Sequence, residues 1–178
     1  MPHILLEGAL HRLTVAPLAT ALENLRKILT KAEAHATALM IEPNTLLNSR
    51  LYPDMFSLIQ QLQYALFIPV DFARHFTGEA PPKVGYEEKT FAEVHAGLEL
   101  ALAYLSSISP AEMDERAGLV VPILFDEKQG LPAEYYATKI IMPDFYFHLT
   151  IAYAILRHKG VPLGKSDFIG KLETVPLG

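Results

Sequence analysis

Asp144 and His148 stand four residues apart in a stretch with helical periodicity. On a helix turning about 100° per residue, their side chains project about 40° apart, one turn above the other. A carboxylate and an imidazole placed in this way can ligate one divalent metal ion. The pair also has a purely structural reading. Asp144, directly after Pro143, then complements the positive end of a helix dipole, and His148 is a core histidine with partners inside the protein. Upstream, Gln60, Gln61 and Gln63 cannot all project outward from one helix, so at least one amide faces the interior and needs a partner. Asp71 raises the same question further along that segment. His35 either lines a cavity or favours the negative end of the helix it closes. Tyr146 and Tyr153 offer hydroxyls, although aromatic residues at helical spacing serve packing as readily as chemistry.

Other chemistries lack their motifs. Gly164-Lys165-Ser166 resembles the end of a phosphate-binding loop, but only three residues separate it from Gly160 where that loop needs four. There is no H-E-x-x-H, G-x-S-x-G or G-x-G-x-x-G.

The elements that must position these residues are helices. Leu18, Leu22, Leu25, Leu29 and Ala32 form one apolar stripe over residues 17–41, ending before Pro43. A second helix is expected from an N-cap at Asp54 to Phe76, stopped by Gly78, with a kink at Pro69. Residues 78–89 read as a crossover loop. Thr90 and Glu93 form a capping box for a third helix, and Ser109-Pro110 opens a short accessory helix. Residues 119–125, rich in Val and Ile, pair across a polar turn at 126–130 as a small hairpin. A fourth helix runs from Ala133, interrupted at Pro143, to the stop at Gly160. Residues 160–178 form a tail on the surface. The fold class is therefore all-α, a four-helix bundle with a short accessory helix and a small β-hairpin before the fourth helix.

With 178 residues, 51% of them hydrophobic, the chain is expected to be one domain spanning residues 1–178 with a sizeable core and apolar surface to hide. Twenty acidic residues against 15 basic ones, a net charge of -5, argue against binding a phosphate backbone. The absence of cysteine excludes disulfides, thiolate metal sites and a cysteine nucleophile. Neither a targeting segment nor a membrane span is apparent, so a cytoplasmic location is expected.

The segment Pro143-Asp144-Phe145-Tyr146-Phe147-His148, the run Ala152-Tyr153-Ala154-Ile155-Leu156-Arg157-His158-Lys159-Gly160-Val161-Pro162-Leu163-Gly164, Lys31-Ala32-Glu33-Ala34-His35-Ala36 and Pro53-Asp54-Met55-Phe56 resemble a bacterial family of unknown function within the DinB/YfiT-like superfamily. That resemblance covers nearly the whole chain. It implies an up-down-down-up bundle, commonly dimeric, holding a metal with one histidine on helix two and an H-x-x-x-H pair on helix four. Aligned on Arg157, the paired positions fall thirteen and nine residues earlier, on Asp144 and His148. The helix-two position, counted seven residues from Asp54, falls on Gln61. Two of the three histidines of the pattern are thus replaced, and an amide oxygen is a poorer ligand than imidazole for zinc or nickel.

Two functional readings follow. In one, Asp144, His148 and Gln61 hold a divalent metal (Zn, Ni, Mn or Fe) for a transferase acting on a small molecule or thiol, as the resemblance implies. In the other, no metal is bound, the three residues satisfy one another, and the protein is a non-catalytic small-ligand or protein-binding bundle. His35, Asp71 and Tyr153 are candidate pocket-lining residues, and a homodimer is expected to cover the apolar surplus.

Overall fold

The computed structural model describes residues 7–123, 126–172 and 174–177. Helices dominate, with one two-stranded antiparallel hairpin. A short α1 (Ala9–Leu13) leads into α2 (Val15–Ala38). The stripe read from the sequence is the buried face of α2, where Leu18, Leu22, Leu25, Leu29 and Ala32 are all at most 1% exposed. This helix ends at Ala38, short of the expected Ile41. Met40 takes a left-handed φ of 52°, and the Ile41 and Met40 amides donate back to the carbonyls of Ala36 and Thr37, closing a Schellman cap.

After α3 (Pro43–Leu47), helix α4 (Leu58–Ala73) begins later than expected. Its N-cap is Ser57, not Asp54, because Gln60 Oε1 accepts the Ser57 amide at 3.0 Å. Asp54 instead lies in a turn held by the Arg50 guanidinium, which donates to the carbonyls of Pro53 and Met55. Helix α4 continues through Pro69. The capping box at Thr90 opens α5 (Phe91–Ser106), with the Glu93 amide donating to Thr90 Oγ1 at 3.2 Å and the Thr90 amide to Glu93 Oε2 at 2.9 Å. Ser109 and Glu112 cap α6 (Pro110–Glu115) reciprocally.

Strands β1 (Val120–Ile123) and β2 (Asp126–Pro132) pair in the register Val120↔Pro132, Val121↔Leu131, Pro122↔Gly130. The residues expected to form the turn belong instead to β2, and the connection at 124–125 lies outside the described residues. Helix α7 (Ala133–Tyr136) then runs through a π-helical turn, Ala137–Ile141, into α8 (Met142–His158). The interruption expected at Pro143 falls just before it. Pro143 has no N–H for the carbonyl four residues back, at Lys139, and its ring crowds that group, so the widened π turn centred there relieves both. The Gly160 stop is a Schellman cap with φ 90°. Part of the expected tail is a helix, α9 (Lys165–Ile169), docked on α2 through Asn24, whose amide donates to the Phe168 and Ile169 carbonyls, and through a 2.6 Å Lys31–Asp167 ion pair.

The long helices pack as α2 on α5, α4 on both α5 and α8, and α2 on both α4 and α8, with α1 and α6 packed together at one side. Their inner faces form one contiguous hydrophobic cluster. Among the described residues no helix is long and apolar enough to cross a membrane.

Candidate functional site

The packing of α4 against α8 brings Gln61, His148 and Asp144 together. Gln61 and His148 are 2% and 6% exposed, while the Asp144 side chain is 43% exposed at the rim. The π turn matters here: a one-residue insertion offsets the following helix face by about 100°, so it sets which side of α8 meets α4.

Gln61 Nε2 faces the Phe56 carbonyl at 3.4 Å, which turns Oε1 towards His148 Nδ1 at 2.7 Å. An amide oxygen only accepts, so Nδ1 carries the proton and donates. On the other side of the ring, His148 Nε2 lies 3.4 Å from Asp144 Oδ1. With Nδ1 protonated, a neutral ring would present a lone pair there to a carboxylate, two acceptors facing each other. A hydrogen-bond donor or a cation between them resolves the conflict, and at this half-exposed rim a bridging water can serve as well as a bound cation.

Three aromatic rings enclose the imidazole. Tyr64 stacks on it at 4.5 Å between centroids and 10° between planes, Phe56 lies parallel to both, and Phe147 approaches edge-on at 5.4 Å. These rings were not among the candidates read from the sequence. Tyr64 lies one turn after Gln61 and Phe147 adjoins His148, so helical phase could have pointed to them.

A metal fits this donor set only in part. Two ligand atoms 3.4 Å apart, each about 2.1 Å from a metal, subtend about 108°, the angle between two corners of a tetrahedron. Gln61 Oε1, however, is bonded to Nδ1 and lies across the ring from Nε2, so it orients the histidine and cannot share a metal with it. No cluster of three His, Cys, Asp or Glu residues suited to a metal occurs among the described residues. One imidazole and one half-exposed carboxylate fall short of the three or four protein ligands of a resident zinc.

The other candidates lie elsewhere. Asp71, ten residues beyond Gln61 on α4, pairs with Arg74. His35 packs beside Gly160, just past the end of α8 and about 18 Å from His148, with its Nε2 buried and without a hydrogen-bond partner among the described residues. Tyr153 turns to α9, edge-on to Phe168 at 5.7 Å. Gln60 is used at the N-cap of α4, and Gln63 donates to the Glu88 carbonyl at 2.9 Å. A second histidine–carboxylate pair, His95–Glu33 at 2.8 Å, links α5 to α2 and was not singled out from the sequence.

A crystal structure of a DinB family member from Shewanella denitrificans is similar to this chain, with 35% sequence identity over 96% of this chain and 97% of that one and a TM-score of 0.87. Among curated proteins none matches significantly. The family model described as "Domain of unknown function (DUF1993)" matches residues 10–169. The chain therefore belongs to the DUF1993 family, a domain of unknown function with the DinB-like fold.

Proposed function

We propose that this protein is a non-catalytic, small-ligand-binding member of the DinB-like superfamily in which Gln61, His148 and Asp144 form a polar network without a metal. The supporting observation is the 2.7 Å contact between Gln61 Oε1 and His148 Nδ1, which commits the glutamine to orienting the ring. His148 Nε2 and Asp144 then share the solvent-facing side of the ring, and the exposed faces of Phe56, Tyr64 and Phe147 beside it suit a small molecule with a flat apolar part. The four long helices form an up-down-down-up bundle in this reading, and two copies pair to cover exposed apolar surface, which sedimentation at micromolar concentration tests as a dimer mass. The location proposed is cytoplasmic.

The 108° geometry of Nε2 and Oδ1 favours a second reading, a metal-dependent transferase on a small molecule or thiol, with His148 and Asp144 as the two protein ligands and water completing the shell. Elemental analysis separates the two. After incubation with Zn, Ni, Mn or Fe and dialysis, the first reading expects substoichiometric metal, equal in wild type and His148→Ala. About one equivalent of metal in wild type, lost in His148→Ala, overturns it in favour of the second.

A further inference from the structure

The loop between α4 and α5 covers a cavity of about 350 Å³ that is remote from His148. Val70 and Asp71 line it from α4 and Arg74 from the C-cap just beyond, and Pro81, Pro82 and Tyr86 face them from the loop. The loop is tied down on both sides of the prolines. Tyr104 donates to the Glu79 carbonyl at 3.2 Å, the Gly85 amide donates to Glu88 Oε1 at 2.7 Å, and the Tyr86 ring rests edge-on against Phe67. Prolines have fixed φ and no N–H to satisfy, so this wall is rigid and apolar. The cavity is pre-formed rather than created by a ligand.

Its polar groups are arranged with one purpose legible in them. Asp71 is 7% exposed, and its Oδ1 accepts the Arg74 Nε–H at 2.7 Å. That bond fixes the plane of the guanidinium and leaves the two terminal nitrogens without a hydrogen-bond partner among the described residues. The Arg74 side chain is 45% exposed, while Asp71 Oδ2 is buried. The charge within reach of a ligand is therefore the end of the arginine fork, a geometry that matches a carboxylate.

We propose that this cavity binds a small organic carboxylate, its charged end on the Arg74 guanidinium and its apolar body between Val70 and the Pro81-Pro82 wall. Asp71 is a positioning residue that aims the arginine. A monoanion suits the site better than a phosphate dianion, because Asp71 already offsets part of the arginine charge. Burial, and then Arg74 itself, hold His75 below the usual imidazole range, so it adds no second positive charge at neutral pH.

The site is independent of the His148 reading, and the test keeps the two apart. The full-length protein, labelled with ¹⁵N, is titrated separately with benzoate, benzamide, benzylamine and inorganic phosphate while amide shifts are followed. Saturable shifts at residues 70–74 and 83–86 are expected with benzoate, and at least about tenfold weaker binding with the other three. Arg74→Gln, a half-exposed substitution, should weaken benzoate at least about tenfold with an unchanged amide spectrum elsewhere. Asp71→Asn keeps an acceptor for Nε and should bind benzoate as well as wild type or better. Equal or preferential binding of benzylamine, benzamide or phosphate, wild-type affinity in Arg74→Gln, a loss in a folded Asp71→Asn protein, or benzoate shifts absent or confined to residues 56–64 and 144–148 each overturn the proposal.

Discussion

Replacing Gln61 by Met tests whether the amide or mere packing holds His148. Methionine is close to glutamine in length and flexibility, so the substitution removes the acceptor while largely keeping the volume. Two effects follow from the structure. The His148 Nδ1–H, in a residue only 6% exposed, loses its 2.7 Å acceptor and becomes a buried orphan, at a cost of about 1–3 kcal/mol. The Phe56 carbonyl loses the 3.4 Å contact from Gln61 Nε2, too long to add much. Burying an apolar thioether offsets part of the loss. A net destabilisation of about 1–2 kcal/mol is expected, which at a urea slope of about 2 kcal/mol/M lowers the midpoint by about 0.5–1 M. His148→Phe keeps a flat ring against Tyr64 and strands the glutamine instead, with a similar cost. The double variant leaves neither partner orphaned, so its destabilisation should fall short of the sum of the single changes by about 1–2 kcal/mol. Urea unfolding followed by circular dichroism, with unchanged slopes, measures the full cycle. Additivity within about 0.3–0.5 kcal/mol would show that the contact does not couple the residues, and the reasoning about the protonated Nδ1 would fail.

Three further outcomes follow from other parts of the molecule. Burial, then the nearby Asp71 carboxylate, push the Tyr136 hydroxyl up to about 12, so ultraviolet titration should show one tyrosine ionising well after an ordinary phenol. Because the folded value exceeds the unfolded one, the stability this group contributes is intact below about pH 10 and is lost as pH rises towards 12; Tyr136→Phe should flatten that decline, and an unchanged pH profile refutes it. Gly85 has φ 83°, and a Cβ there would collide with the Gln63 carbonyl oxygen, so Gly85→Ala should cost more than about 2 kcal/mol by thermal or urea unfolding and shift the amide signals of residues 78–90. Asn24→Ala removes the amide that holds the Phe168 and Ile169 carbonyls, and limited proteolysis should cleave residues 164–172 markedly faster, with a global loss of only about 1 kcal/mol.

What could be read in the sequence follows from the range of the forces involved. The α2 stripe and the Thr90–Glu93 box are local: a period near 3.6 or a reciprocal pair three residues apart specifies them. The N-cap of α4 is ambiguous in the sequence because Asp54 and Ser57 are both good caps; the Met55 amide bonded back to the Tyr52 carbonyl, and Arg50 reaching forward to the Pro53 and Met55 carbonyls, hold Asp54 in a turn. Helix α9 is five residues long, too short to hold itself, and owes its form to Asn24 and Lys31 more than 130 residues earlier. The polar residues placed in β2 illustrate the same limit, since hairpin pairing rests on cross-strand register rather than on composition.

For the site, spacing places Asp144 and His148 on one face, and the family resemblance, counted from Asp54, points to Gln61, but neither reveals which side of the imidazole each takes. That distinction decides the chemistry. A ligand must meet the lone pair of the ring, whereas an orienting group must meet its N–H, and the two nitrogens are separated by the width of the imidazole. As a third ligand Gln61 would have to reach Nε2, but the 2.7 Å bond of its Oε1 to Nδ1, with Nε2 of the amide turned to the Phe56 carbonyl, keeps it away from the side where Asp144 lies. The amide sets the tautomer of the histidine, and the tautomer leaves the Nε2 lone pair facing the half-exposed Asp144 carboxylate. A hydrogen-bond donor or a cation must stand between two such acceptors, and at the rim of the site a bridging water can do so as well as a metal. With Gln61 committed to Nδ1, Nε2 and Asp144 are the two atoms of this trio that a metal could share, and any further ligands would have to come from solvent or substrate.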